Sequence, residues 1–314
     1  MTALAIDKTA KLEIDRTTQR IRICAERTGL PPILIVQAGP GLPLLNEVKK
    51  FREHLRLESD FLVTYWDLRG CGNARRQDAQ SVSMRKQVDD LRAVLRRVNN
   101  ETQQTAIVLG ISLGGTIALQ AAELERDTIK CVIAISPDAK TARSDAAAHK
   151  FLLEQSALDK SGRLGAKMKK LGEPPYMEPA AFQLRGRLLA NLGGIERGKK
   201  FGALLRKTLL GMIGTYGLIG TAKALRNMNL IQRALLPELA TLDLFANPPR
   251  LAMPVHFIFG EQDPLTPASI VEQLPEAISA PTKTVTLARD AGHMVHFDQP
   301  ELVRSIVMRA KDGA

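Results

Sequence analysis

Short, uninterrupted apolar runs recur along the first half of the chain, and they restrict its fold more than any other feature. Three of them are ILIV at 33–36, AIVLGI at 106–111 and CVIAI at 131–135. Such runs fit strands that are buried on both faces, as happens where helices cover both sides of a parallel sheet. Helix-period segments separate them, including residues 83–98 and 115–125. The alternation predicts a series of βαβ units and therefore an α/β fold.

This alternation stops near residue 138 and resumes near residue 248. Between the two points, helix-period segments are separated by turn-forming sequences such as LGEPPY, and no good strand pattern occurs. We therefore predict an α/β core over residues 1–138 and 248–314, with a helical cap inserted at 139–247. After the insertion, the pattern predicts a strand at 255–259, a helix at 269–274, a strand at 282–287 and a final helix from Pro300.

Composition places the chain among ordinary globular proteins, since it has 314 residues of which 45% are hydrophobic and 25% charged. The first fifteen residues lack the apolar stretch of a secretory signal, so we expect a cytoplasmic protein. The most apolar later segment, at 208–222, contains four glycines and is too short to span a bilayer. We interpret it as a buried or surface-lying helix and expect no stable membrane insertion. Cys24, Cys71 and Cys131 show no metal-ligand spacing, which favours reduced thiols.

Positive charge is concentrated in the insertion. Residues 139–247 contain 18 Lys and Arg against 8 Asp and Glu, and this accounts for nearly all of the chain's net charge of +11. Aromatic residues are not interleaved with the basic ones, so we predict a small-molecule substrate and no nucleic-acid partner. The surplus favours an anionic or amphiphilic substrate or a membrane surface, although KKLGE and RGKK also fit solvated helix faces. The oligomeric state stays open.

The pattern Gly110-Ile111-Ser112-Leu113-Gly114, followed by Gly115, lies between a predicted buried strand and a predicted helix. This context is typical of a nucleophile elbow, in which a serine stands on a strained turn above the sheet. Ser112 is therefore the predicted nucleophile. The Leu113 N–H, at the start of the following helix, is a predicted oxyanion donor.

A serine nucleophile needs a base within hydrogen-bond reach, and the chain has five histidines. His54, His149 and His256 fall in a charged helix, in the insertion and inside a strand, where surface or core roles suffice. His293 follows Ala291-Gly292 in a loop after the last predicted strand, so we predict it as the base. His296 is the second choice, with packing as its alternative role.

The base in turn needs a carboxylate that orients it. Asp263 lies in a turn directly after the predicted strand at 255–259, which places it at the carboxyl edge of the sheet, where sites in open α/β sheets form. Asp138, directly after another predicted strand, is the alternative acid, and Glu261 is expected to be solvated. The glycine-rich turn QAGPG at 37–41 follows the strand PPILIV, and Gly39 is the predicted second oxyanion donor.

Three segments resemble the proline-iminopeptidase-like branch of the α/β hydrolases. QAGPG is similar to the branch's HGGPG loop, WDLRGCGNA to its DQRGxGxS segment, and the elbow, Asp263 and AGH follow in the expected order. The resemblance implies a helical cap, an acyl-enzyme and neither a metal nor an organic cofactor. The chain departs from it at Gln37, Ala38 and Leu68. Asp67 and Arg69 are expected to hold loops beside the oxyanion hole rather than to catalyse.

Ester or lactone hydrolysis is the predicted activity, ahead of aminopeptidase action, because a basic cap disfavours a cationic substrate. Glu173, Glu178 and Glu196 are the cap carboxylates that could still bind a substrate ammonium. More distant alternatives are a cofactor-free carbon–carbon hydrolase and a non-enzymatic ligand-binding relative. Apolar residues of the cap could line an acyl pocket or simply form its core: Leu209, Leu210, Met212, Ile213, Tyr216, Leu218 and Ile219.

Overall fold

A computed structural model describes residues 3–313 and places eight strands in a single sheet. The strands are β1 (Ile6–Ile14), β2 (Thr17–Ala25), β3 (Pro32–Val36), β4 (Leu62–Asp67), β5 (Ala106–Ile111), β6 (Ile129–Ile135), β7 (Val255–Gly260) and β8 (Lys283–Ala288). Their order across the sheet is β1-β2-β4-β3-β5-β6-β7-β8. The pairs β1–β2 and β2–β4 are antiparallel and all the others are parallel. The predicted α/β-hydrolase fold is confirmed.

Eleven helices accompany the strands in the described part of the chain. They are α1 (Val48–Leu55), α2 (Arg76–Gln80), α3 (Met84–Thr102), α4 (Leu113–Leu124), α5 (Thr141–Leu158), α6 (Arg163–Leu171), α7 (Pro179–Asn191), α8 (Phe201–Ala240), α9 (Ala268–Ala277), α10 (Val295–Asp298) and α11 (Pro300–Asp312).

Each face of the sheet has its own apolar core. In β3, Leu34 and Val36 pack on one face with α3, α4 and α9, whereas Ile33 and Ile35 pack on the other with α1 and α11. Successive side chains of a strand point to opposite faces, so a central strand that is covered twice must be apolar throughout. This is the physical basis of the uninterrupted runs in the sequence.

The edge strand β1 was not predicted. Its side chains are mostly exposed, with charged residues at Asp7, Lys8, Lys11 and Glu13, and it pairs only with β2. A strand with one neighbour and one solvated face gives no continuous apolar signal. The loop predicted at 290–299 also differs, because it contains the short helix α10.

Helices α5 to α8 form the insertion between β6 and β7. The first three enclose a small core of their own that includes Leu152, Tyr176 and Leu189. The longest, α8, bends at Gly217, where φ is 70° and ψ is 177°. At the base of the insertion, Lys140 bridges to Asp243 through its backbone, and its ammonium lies 2.5 Å from the Asp243 carboxylate. Among residues 3–313, no helix is both long and apolar enough to cross a membrane.

Candidate active site

A cavity of about 550 Å³ lies between the carboxyl ends of the parallel strands and the inserted helices. Ser112 follows β5, Asp138 follows β6, Asp263 follows β7 and His293 lies in the loop after β8. Ser112, Asp138 and His293 line the cavity directly. The sheet topology therefore brings to one edge residues that are up to 181 positions apart in the sequence.

Ser112 occupies a strained turn between β5 and α4, with φ 52° and ψ −123°. Its N–H donates to the Ile135 carbonyl at 2.8 Å, which fixes the turn to the neighbouring strand. A Cβ atom at position 114 would lie 2.2 Å from the Val36 carbonyl oxygen, so only glycine fits where α4 crosses β3. Leu113 begins α4, and its N–H has no acceptor within the helix.

His293 and Asp263 form a buried pair behind this turn. The Nδ1 atom of His293 lies 2.7 Å from Oδ2 of Asp263. Thr266 Oγ1 donates to the same carboxylate at 2.7 Å, and the Leu265 N–H donates to its other oxygen at 2.8 Å. These contacts hold the carboxylate in one orientation, so that the Asp263 side chain accepts from three donors when Nδ1 carries a proton.

The electrostatics of the pair favour the charged form of both groups. Burial raises the pKa of Asp263, but the charge of His293 and the three hydrogen bonds outweigh burial, so this pKa lies below its ordinary value. Burial lowers the pKa of His293, yet the Asp263 carboxylate outweighs it and raises that pKa above 6.5. An imidazolium at this position is therefore stabilised.

The backbone around His293 is held by the insertion. The His293 N–H donates to the Gly194 carbonyl at 3.0 Å, and the Met294 N–H donates to the Ile195 carbonyl at 2.8 Å. Gly194 and Ile195 lie between α7 and α8. Sequence reasoning missed these two carbonyls, because backbone acceptors leave no residue-type signature.

Gly39 lies next to Leu113, since a Cβ atom at position 39 would come within 2.9 Å of Leu113 Cδ2. The side chain of Gln37 accepts from the Ala38 N–H at 3.1 Å, so this donor already has a partner. Asp67 holds the following turn, because its Oδ1 accepts from the Leu44 and Leu45 N–H groups at 2.7 and 2.9 Å.

The other sequence candidates have different surroundings. The second oxygen of Asp67 accepts from the Tyr216 hydroxyl of α8 at 2.6 Å, and Arg69 pairs with Asp90 through two hydrogen bonds of 2.6 and 2.7 Å. Glu261 is exposed. His296 is buried against Phe51 with a ring separation of 5.1 Å, and neither of its nitrogens has a hydrogen-bond partner in residues 3–313. Burial lowers the pKa of His296 far below its ordinary value.

Asp138 lines the cavity but does not contact His293 through a hydrogen bond. Its carboxylate accepts no hydrogen bond from the described residues, and burial raises its pKa. The charges of His293 and Arg185 lower that pKa in part. A carboxylate that faces a cavity without an ion pair is available to a ligand.

The three glutamates proposed to bind an ammonium do not converge on one pocket. Glu173 and Glu178 are exposed. Glu196 is buried and lines the cavity, but it pairs with Lys50 at 2.7 Å and with Lys199. Burial lowers the pKa of Lys50 to about 8. Two of these carboxylates therefore face solvent and the third is paired, so the structure does not favour the alternative in which they bind a substrate ammonium.

The remaining walls of the cavity are mainly aliphatic. They include Leu204, Leu209, Met212, Leu225, Met228 and Leu236 of α8. Leu209 and Met212 belong to the set for which the sequence left pocket lining and cap core open, and both line the cavity. Four others of that set lie instead on the exposed side of α8: Leu210, Ile213, Leu218 and Ile219. In residues 3–313, no group of three or more His, Cys, Asp or Glu side chains is arranged to hold a metal ion.

The sheet order, the turn at Ser112 and the position of the insertion define an α/β hydrolase fold. The family model described as the alpha/beta hydrolase family matches residues 40–306, so the chain belongs to this family and is a hydrolase. The chain is 25% identical over 304 residues to the probable aminopeptidase YbaC of Bacillus subtilis (strain 168). The aligned residues cover 95% of this chain and 94% of that protein.

Solved structures show the same fold. VinJ is similar with a TM-score of 0.67 at 13% identity, covering 98% of both chains. A proline iminopeptidase from Mycobacterium smegmatis is similar with a TM-score of 0.66 at 17% identity, covering 96% of this chain and 97% of that one. The resemblance to the proline-iminopeptidase-like branch is thereby borne out.

Proposed function

We propose that the chain is a serine hydrolase that cleaves a carboxylic ester or lactone through an acyl-enzyme. Ser112 is the nucleophile, His293 the base and Asp263 the group that orients it. The proposal rests chiefly on the 2.7 Å contact between His293 and Asp263, beside a cavity that Ser112 and His293 both line. Asp138, the alternative acid, makes no such contact.

In this mechanism, the Asp263 carboxylate accepts a hydrogen bond from the Nδ1–H of His293, which leaves Nε2 free to take the proton of Ser112. The serine oxygen attacks the substrate carbonyl carbon, and His293 then protonates the leaving alcohol. Water, deprotonated by His293, attacks the acyl-enzyme and releases the acid. The raised pKa of His293 supports this cycle, because the imidazolium formed in each half is stabilised by Asp263.

The Leu113 and Gly39 N–H groups would bind the oxyanion of each tetrahedral intermediate. The position of Gly39 beside the Leu113 side chain and the start of α4 at Leu113 support this assignment. Asp67 would keep the loop rigid, since it fixes the backbone at Leu44 and Leu45. Donors held in advance cost no reorganisation when the charge develops.

The aliphatic wall supplied by α8 favours a substrate with an apolar acyl or alkyl part. Helices α5 to α8 would act as the cap, with boundaries at residues 139 and 247. Lys50 and Lys199 neutralise Glu196, the buried glutamate of the cap, which reduces the attraction of a substrate ammonium to that wall.

Asp138 supports a second candidate, aminopeptidase activity. Its carboxylate faces the cavity without an ion pair and could accept the ammonium of a substrate. The similarity to YbaC and to a proline iminopeptidase also favours this activity. In this case the acyl group would be an aminoacyl group and the leaving group an amine.

A substrate panel separates the two candidates. It contains aryl esters of different acyl length, lactones and aminoacyl amides including proline, tested with wild type, Ser112→Ala and Asp138→Asn. We expect ester or lactone turnover that Ser112→Ala abolishes and that Asp138→Asn leaves largely intact. A preference for aminoacyl amides, with a KM that Asp138→Asn raises, would establish the second candidate. Full activity in Ser112→Ala would contradict both.

A further inference from the structure

The bend of α8 carries an exposed apolar surface that the cavity does not use. Leu210, Leu218 and Ile219 are 63%, 73% and 76% exposed, and Ile213 is 39% exposed. These four side chains flank the bend at Gly217, and we call them the bend patch. Scattered exposed leucines are ordinary, whereas four large apolar side chains within ten residues of one helix form a candidate contact surface.

Cations flank the bend patch on both sides along the helix. Arg206 and Lys207 precede it, and Lys223 and Arg226 follow it. All four side chains are exposed, and Arg206, Lys207 and Lys223 form no ion pair with residues 3–313. Between residues 197 and 237 the sequence contains eight Lys and Arg and no Asp or Glu. Along α8, the patch is therefore apolar at its centre and flanked by cations at both ends.

Exposed apolar side chains flanked by cations fit some binding partners better than others. A two-fold contact centred on the bend patch would bring the flanking cations of two copies of the chain close together, which is unfavourable. An anionic lipid surface instead accepts apolar side chains at the acyl boundary and attracts the surrounding cations. We propose that the bend of α8 docks the protein on anionic membranes, with the bend patch entering the interface.

The geometry of α8 links this surface to the cavity. Leu209 and Met212 point into the cavity from the same helix segment that presents Leu210 and Ile213 to solvent. A docked protein would hold its cavity one helix diameter from the lipid, on the order of 10 Å. Docking itself does not depend on the proposed function, whereas delivery of an amphiphilic ester from the membrane would rest on it.

The test is sedimentation of the full chain with vesicles of phosphatidylcholine alone and of phosphatidylcholine with one third phosphatidylglycerol. We expect binding to the anionic vesicles at low salt, and loss of binding as salt screens the cations. Arg206→Gln with Lys223→Gln should weaken the partition coefficient about 25-fold, at about fivefold for each cation removed. Leu218→Ser with Ile219→Ser should weaken it by about tenfold or more.

Matched controls lie on the same insertion. Lys167→Gln with Lys169→Gln removes two exposed cations from α6, and Leu158→Ser removes a leucine that is 74% exposed at the end of α5. These variants should bind anionic vesicles like wild type, and all variants should keep the wild-type melting temperature. The proposal is overturned if wild type ignores anionic vesicles, if the bend variants bind as wild type does, or if Leu218→Ser with Ile219→Ser turns a dimer into a monomer.

Discussion

Ser112 shows how much a single residue depends on its backbone. Its positive φ directs the side chain away from the sheet and places it beside the start of α4. We expect Ser112→Ala to lower kcat by about 10⁴-fold or more without loss of fold, since the lost hydroxyl is the proposed nucleophile. Turnover of the best substrate from the panel is the measurement. Ser144→Ala, which changes another serine lining the same cavity, is the control and should retain activity.

Asp263 and Asp138 give a second test at the residue scale. Because the pKa of His293 is raised above 6.5, kcat/KM of wild type should rise with pH through that higher value, as the neutral base forms. Asp263→Asn removes the main charge that raises the pKa. Its acidic limb should therefore move to lower pH, while its rate falls by about 10⁴-fold.

Asp138→Asn serves as the comparison, since it removes a smaller contribution to the pKa of His293. Its pH profile for ester hydrolysis should stay close to that of wild type, with a rate within about tenfold. If Asp138→Asn abolished turnover while Asp263→Asn did not, the proposed orienting acid would be wrong. Both rates are measured on the same ester across the pH range in which the protein stays folded.

At the scale of elements, the crossing of α4 over β3 depends on Gly114. An alanine there would place its Cβ 2.2 Å from the Val36 carbonyl, so Gly114→Ala should lower the free energy of unfolding by about 1–3 kcal/mol. Gly186→Ala in α7 is the control, because nothing beyond its chain neighbours and the backbone of α7 lies within 4 Å of the position its Cβ would take. That change should stabilise the protein slightly, as alanine favours helix over glycine. Urea unfolding measures both, and equal effects would contradict the steric argument.

The elements also show which parts of the structure could be predicted from sequence. Buried strands such as β3 and β5 were predictable because a double-sided core demands apolar residues at every position. The edge strand β1 was not predictable, because its solvated face gives no apolar pattern. The bend of α8 was not predictable either, because it depends on contacts with residues distant in the sequence. The positions of Ser112, Asp263 and His293 followed from their places after strands, whereas the carbonyl of Gly194 that holds His293 depends on how α7 and α8 dock.

At the scale of the whole molecule, the cysteines report on global unfolding. Cys24, Cys71 and Cys131 are buried and free, and they lie in the cores on both faces of the sheet. Burial raises the pKa of Cys24 and Cys131 to about 12 and also raises the pKa of Cys71 well above its ordinary value. We expect a thiol reagent such as Ellman's to modify none of them in the native protein and all three in denaturant. Rapid native modification of any one would show that its core opens locally.

The ion pair of Lys140 and Asp243 bears on how the insertion can change during evolution. It joins the segment that leaves β6 to the segment that returns towards β7. The two ends of the insertion are therefore held together where it meets the sheet. Because β6 and β7 are neighbours in the sheet, the insertion between them can be lengthened or shortened by mutation without moving any strand. The walls of the cavity can therefore change through one contiguous third of the sequence, provided that the segment between α7 and α8 keeps the Gly194 and Ile195 carbonyls that hold the backbone at His293 and Met294.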